Sequence, residues 1–539
     1  MPIREKVGPT GFTTRLLVGC LSSLLLAGCG SGSSGSSGTS LDVDPTVVDP
    51  PGEVPGFPFV DHLDQANVTN GFVLFEELFI IGDELFEVPF TGLDGSGAQR
   101  LPDGSPLVTR FSRVPPGGGR FTGPNGQACV GCHNAPLPTS AGEAAANVLQ
   151  DPAGLGLPPF NIRNATTLFG SAALQRLAEE MTEDLQAIQA QASAAATPGG
   201  PAVTLPLSTK GVDFGEIIAM RDGAGVLTID TSGIEGLDPD LVIRPYGWKG
   251  NIATLRDFVR DAARNELGME ATELVAKDPM GDPDPDGDGV ENELTVGDIT
   301  AITIYIGAQE IPTTTFALAA EGIIPPVPAE IAAAVNVGEI IFHDIGCATC
   351  HVPELVLDDP IFEEPTRRGN DHYLDATMDV AATALDPSRP FRFNLVQEGD
   401  PPRLEPGAGG GAIVPLFGDL KRHNMGASLA DPQDTPTNTA EGTQLVVGGI
   451  PRTVGPSFFL TAELWGVGNS GPWLHDGRAG TLTEAILLHG VDVPPPVGDP
   501  ARSEAQESRD AFVALPEDEQ AALVEFLESL VHFAEEEED

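Results

Sequence analysis

Apolar positions recur at helical spacing in several parts of the chain. After Pro516, Leu523, Phe526, Leu527 and Leu530 fall at i, i+3, i+4 and i+7, which predicts a last helix with one buried face. Ile331 to Phe342 reads as another helix, running toward Cys347. Ser171 to Ala196 is Ala-rich and predicts a third, inside an insertion over 170–240 to which the pattern assigns no role. Thr481-Leu482-Thr483-Glu484 has the T-x-x-E form of a capping box, so a further helix is expected to start there. These stretches predict a mainly α fold, with loop-rich insertions marked by 64 Gly and 49 Pro.

One apolar stretch is of another kind. Leu16 to Ala27 follows Arg4, Lys6 and Arg15 and is too short to span a bilayer comfortably. It ends in Leu26-Ala27-Gly28-Cys29, which resembles the bacterial lipoprotein box. That resemblance implies a signal peptide over 1–28, lipidation of Cys29, and a flexible tether over 29–60 that begins Gly/Ser-rich. A plain secretory signal with an incidental Cys is the alternative. The expected location is the periplasm or cell envelope, with the outer membrane reached only through the lipid.

Charge narrows the partners. Lys and Arg number 28 against 79 Asp and Glu, a net charge of -51. Such a surface repels phosphate backbones and excludes a nucleic-acid partner. The 41% of hydrophobic residues sets the chain apart from disordered acidic sequences.

Beyond Cys20 and Cys29, four cysteines remain, in two copies of one pattern. Cys129-Val130-Gly131-Cys132-His133 and Cys347-Ala348-Thr349-Cys350-His351 are both C-x-x-C-H. In this spacing two thiols can add to the two vinyl groups of one haem while the adjacent His ligates its iron. Two disulfides would close tiny strained loops, and Cys₂His pairs this far apart make a weak zinc pattern. The expectation is two covalently bound haem c groups. Pro325, Pro326 and Pro328 mark a boundary between an N-terminal haem domain over 61–330 and a C-terminal one over 331–539.

Longer stretches support a family resemblance. They are Leu416-Phe417-Gly418-Asp419-Leu420-Lys421-Arg422-His423-Asn424-Met425-Gly426, Trp465-Gly466-Val467-Gly468, and Gly471-Pro472-Trp473-Leu474-His475-Asp476-Gly477-Arg478-Ala479 running on to Ile486. They resemble the bacterial di-haem oxidoreductases of the peroxidase or thiol-oxidoreductase type. This family is related to the di-haem cytochrome c peroxidases and the methylamine dehydrogenase maturation enzyme. The resemblance implies two cytochrome-c-like haem domains facing each other. Tyr246-Gly247-Trp248-Lys249-Gly250 and Asn265-Glu266-Leu267-Gly268-Met269 look like a matching pair of motifs in the peroxidases, though two residues shorter between the Trp and the Glu. On that match Glu266 is the catalytic acid–base for O–O cleavage, and Trp248 an electron relay between the haems.

The same resemblance distinguishes the two irons. After His133 no His occurs until His343, whereas the peroxidases carry a second His shortly after their first motif. Its absence implies an iron at His133 open to ligand, with His62 and Met269 as alternatives that would close it. His489 follows the helix predicted from Thr481 and falls where the peroxidases place an axial Met and the maturation enzyme an axial Tyr. It is therefore expected to cap the iron of His351, with Met425 as the alternative. His475 is read as a structural or propionate-contacting residue.

Asp282-Pro283-Asp284-Pro285-Asp286-Gly287-Asp288-Gly289-Val290-Glu291-Asn292-Glu293 fits a D-x-D-x-D-G-x₅-E calcium loop. Asp282, Asp284, Asp286, Asp288 and Glu293 would be its ligands; a proline-stiffened acidic surface loop is the alternative. The functional expectation is an exported di-haem oxidoreductase of the peroxidase type. It would take hydrogen peroxide or another small oxidant, or oxidise a substrate at long range, with a small electron-donor protein or a protein substrate as partner. A di-haem electron carrier with both irons closed is the alternative. Thiol oxidoreduction has no support in these residues, because haem or lipid would take every Cys of the mature chain.

Overall fold

The structure is a computed structural model. It describes residues 62–96, 110–114, 118–122, 126–142, 145–146, 163–275, 289–366, 385–386, 388–399, 401–431, 445–447, 450–452 and 454–534, save 387 and 400. Cys29, the signal segment, the tether and Asp282, Asp284, Asp286 and Asp288 lie outside the described residues. Among the described residues no helix is long and apolar enough to cross a membrane.

Helices stand at Ser171–Ala195, Ala329–Asp344, Leu482–Leu488 and Glu517–Glu528. The Thr481 hydroxyl accepts from the Glu484 N–H at 3.1 Å and starts the third of them. Glu484 itself reaches back to the Gly480 N–H at 2.8 Å, one residue before the usual capping-box partner. In the last helix Leu523, Phe526 and Leu527 are buried, with Leu530 just beyond it. This helix packs across Ala329–Asp344 so closely that a Cβ on Gly338 would lie 2.0 Å from the Ala522 carbonyl oxygen.

The fold class differs from the expectation. Over the described residues the protein is mixed α and β, with 37% helix and 16% strand, not mainly α. Among the described residues, eight small antiparallel sheets lie between the helices. The largest strands belong to the 170–240 insertion, where Val203–Thr209, Val212–Arg221 and Leu227–Asp230 form a three-stranded meander. Lys210 and Gly211 join the first two strands, and both have positive φ, as a two-residue type I′ hairpin turn requires. Period-two burial on Val212–Arg221 sets one face against the Ser171–Ala195 helix. The other strands run two to five residues, too short for period-two patterning to register in the sequence.

Two large apolar clusters form among the described residues. The larger gathers Leu78, Phe86, Leu177, Phe214, Leu255 and Ile304, and also takes in Leu355, Phe362, Val414 and Trp465 from beyond residue 331. The smaller is built by Val335, Phe342, Val467, Phe512, Leu523 and Phe526 around the second C-x-x-C-H. Polar groups buried between elements are cross-linked: Arg256 bonds Glu273, Glu364 and Thr300, while Glu180 accepts from Lys210 and from the backbone N–H groups of Asp358 and Asp359.

Candidate functional site

Both C-x-x-C-H motifs fold as one 3₁₀ turn, Cys129–Gly131 and Cys347–Thr349. In each, the His N–H donates to the first Cys carbonyl, at 3.1 Å for His133 and 3.0 Å for His351. The two thiols of each turn are not joined by a disulfide. Burial pushes the Cys129 thiol up to about 12 and that of Cys347 to about 11, so neither is poised as a redox thiolate.

The second turn opens on a cavity of about 400 Å³. Cys347, Cys350 and His351 form one side of it, and Leu523 and Leu527 of the last helix line it. Across it stands His489, the residue that ends the Leu482–Leu488 helix. The His351 and His489 ring centroids are 6.4 Å apart. A metal–imidazole bond is about 2 Å and the ring centre lies about 1 Å behind its nitrogen, so two imidazoles sharing one iron have centroids about 6 Å apart. Each ring is also turned for that role. His351 Nδ1 donates to the Phe417 carbonyl at 3.2 Å, and His489 Nδ1 to the Ala485 carbonyl at 2.7 Å, which leaves Nε2 of each as the ligand nitrogen. Burial, then the facing His489, lowers His351 to about 4, and burial lowers His489, so both rings are neutral. Two thiols, two facing imidazoles and an apolar slot fit a covalently held haem. Met425 lines the same cavity.

The first turn has different neighbours. His133 Nδ1 donates to the Ser140 carbonyl at 3.1 Å, and its ring lies 6.4 Å from Phe86. Burial lowers its pKa, partly offset by hydrogen bonds to the backbone of Ser140 and Thr166. Glu266 sits on a π-helical turn, Ala263–Leu267, that ends at Gly268 with φ +69°. Its carbonyl accepts from the Gly126 N–H at 3.1 Å. Gly126 itself adjoins the first motif, since a Cβ there would lie 3.8 Å from Cys132 Sγ, and burial, then the negative charge of Glu266, raises the Cys132 thiol. Two thiols and one imidazole fit a second haem here. Of the two residues considered for closing this iron, His62 bonds the Asp298 carboxylate through Nδ1 at 2.7 Å, and Met269 is fully buried in the larger core.

Trp248 comes from the first half of the chain but lines the cavity of the second motif. Its indole N–H donates to the Asn164 carbonyl at 2.9 Å. The neighbouring Lys249 anchors it: Nζ lies 2.9 Å from Asp431, 3.0 Å from the Phe458 carbonyl and 3.6 Å from the Phe459 ring centre. Arg163 grips the same Asp431 with two bonds of 2.9 Å. Asn164, Ala165, Thr166 and Thr167 also line the cavity, while Thr166 contacts His133, so this one extended segment touches both motifs. His475 is buried, stacks on Phe459 at 4.2 Å and meets Trp248 edge-on at 6.3 Å.

Two groups here escaped the sequence analysis. His423, beside Cys350, lies between Asp419 at 2.8 Å and Glu504 at 2.7 Å. Burial alone would lower it, but its bonds to Asp419, Cys350 and Glu504 raise it to about 12, a fixed imidazolium. Glu463 faces the cavity, and burial raises its carboxyl to about 7. Neither stands at a recognisable spacing from the haem motifs. Glu293, the last residue of the acidic loop, is buried and accepts from the Glu270 N–H at 2.7 Å.

Residues 407–530 match the family model described as "Di-haem oxidoreductase, putative peroxidase". The match covers the C-terminal part of the chain alone. The matched segment holds His423, Met425, Glu463, His475 and His489, one wall of the cavity. No curated protein matches the chain. Among solved structures it is similar to the hydrazine synthase of Kuenenia stuttgartiensis pressurised with xenon, at 15% identity over 90% of this chain and 100% of that one, with a TM-score of 0.32. It is also similar to a MauG-like protein associated with microbial copper homeostasis, at 16% identity over 57% of this chain and 77% of that one, with a TM-score of 0.26.

Proposed function

We propose that this di-haem oxidoreductase is a peroxidase-type enzyme that reduces hydrogen peroxide at its first motif and draws electrons through its second. Cys129, Cys132 and His133 hold one covalent haem c; Cys347, Cys350, His351 and His489 hold the other. Haem bound at these positions would supply one-electron redox chemistry, held through His133 at the first and through His351 and His489 at the second. The observation that carries the reading is the asymmetry of the two motifs: the turn that carries Glu266 bonds Gly126 next to Cys132, while His489 faces His351 at 6.4 Å.

Cleaving peroxide to two waters takes two electrons and two protons. Glu266 takes the proton from one oxygen and returns it to the other, which makes the leaving group water. Trp248, fixed by Lys249 and Asn164, carries electrons between the motifs. The electron source is a small donor protein or an oxidisable protein surface. The same reading takes the chain as exported and anchored through a lipid on Cys29.

Glu266→Gln tests it. Peroxide turnover by the haem-loaded protein falls by about 10²- to 10⁴-fold with two haems per chain retained. Near-normal turnover removes Glu266 from the mechanism, and no turnover in the unaltered protein favours an electron carrier.

A further inference from the structure

We propose that Tyr305 is a redox-active residue that yields an electron toward the first haem site while its phenolic proton passes to Asp83. The proposal rests on the peroxide reading of that site.

Tyr305 lies on the Val296–Gly307 helix and is 5% exposed. Its ring is 5.3 Å from Phe86, and Phe86 is 6.4 Å from His133, so a single ring separates the phenol from the iron ligand. A bonded route runs beside the packed one. The Tyr305 hydroxyl lies 2.8 Å from Thr139 Oγ1, and the Thr139 N–H donates to the His133 carbonyl at 2.9 Å. Thr139 is fully buried and holds φ +66°, a conformation a β-branched residue adopts only when its surroundings enforce it. The Tyr305 hydroxyl also hydrogen-bonds the carboxylate of Asp83. Burial, then the charge of Asp83, raises this phenol far above its ordinary value, so it enters any oxidation protonated. On its far side Phe79 packs at 5.0 Å and Phe75 at 6.3 Å from Phe79. Within this run Tyr305 is the one readily oxidised ring.

The step balances. The phenol O–H bond breaks, the proton goes to the Asp83 carboxylate, and one electron reduces the oxidised first site by one equivalent. The oxidant is hydrogen peroxide, which takes two electrons and two protons to give two waters. Tyr305 supplies one electron and the second site the other. A one-electron donor then restores the phenol, taking the proton back from Asp83.

The test is electron paramagnetic resonance of the haem-loaded full chain, frozen after mixing with hydrogen peroxide. The sequence has three tyrosines, Tyr246, Tyr305 and Tyr373. The expected radical signal narrows when the protein carries ring-deuterated tyrosine. Tyr305→Phe, which keeps the ring packing, lowers it at least tenfold, and Asp83→Asn lowers it by removing the proton acceptor. The double variant Tyr246→Phe/Tyr373→Phe retains it, which secures the assignment should Tyr305→Phe fail to load haem. Peroxide consumption without a tyrosyl signal, or a signal lost from the double variant, overturns the role of Tyr305 and leaves the peroxide reading standing. No peroxide consumption overturns both.

Discussion

The two C-x-x-C-H turns share their local geometry and differ in what faces them. Each is a 3₁₀ turn whose His N–H returns to the first Cys and whose Nδ1 is tied to a carbonyl, of Ser140 in one case and Phe417 in the other. At the second, an imidazole stands across an apolar cavity; at the first, the turn that carries Glu266 bonds Gly126, next to the second thiol. On the proposed reading the short motif specifies attachment, while distant segments set what faces it. The contributing segments are far apart in sequence: Glu266 comes from a π-helical turn, a backbone irregularity that recurs at functional sites.

The largest expected effect comes from making the second turn resemble the first. His489→Ala removes the facing imidazole. The haem-loaded variant loses its low-spin optical and magnetic signature at that site and binds added imidazole, which restores it. An unchanged low-spin spectrum would make Met425, on the same cavity wall, the sixth ligand.

A smaller effect tests the link between the turns. Trp248→Phe keeps a ring in place but deletes the N–H that donates to the Asn164 carbonyl. Stability falls by about 1 kcal/mol for that bond. Electron transfer between the haems, followed by rapid mixing of peroxide with the reduced protein, slows more than stability alone would explain. Unaltered transfer would shift the route to the 163–168 backbone, which touches both motifs without the indole.

Much of this comparison was legible in the sequence because its signals are local. Fixed-spacing motifs, a capping box and helical periodicity all act within a few residues, and they mark both turns and the four helices around them. Short strands left no such signal. Val203–Thr209 and Val212–Arg221 are the exception, since alternating residues flank Lys210-Gly211 and could have been read as a hairpin. The cavity wall was legible only in part. His489 follows from its helix, but Glu463, the clamp on His423 and the Arg163–Asp431–Lys249 cluster depend on partners up to 268 residues apart, a separation no pattern spans.

The smallest effect concerns charge. The turn carrying Glu266 adjoins the first motif, while at the second Glu463 faces the cavity that the ion-paired His423 also lines. Burial moves Glu463 from 4.5 to about 7, and no cationic side chain among the described residues offsets that shift. Between these values the folded chain holds a proton that the unfolded chain has lost. Its stabilising contribution is therefore complete below pH 4.5 and is lost as pH rises through about 7. Glu463→Gln carries no such proton. Relative to the variant, the unaltered protein loses up to ~3 kcal/mol between pH 4.5 and 7.5. Denaturant midpoints of the two haem-loaded proteins at those pH values measure the difference. Parallel pH slopes would mean that Glu463 is already ionised in the folded state.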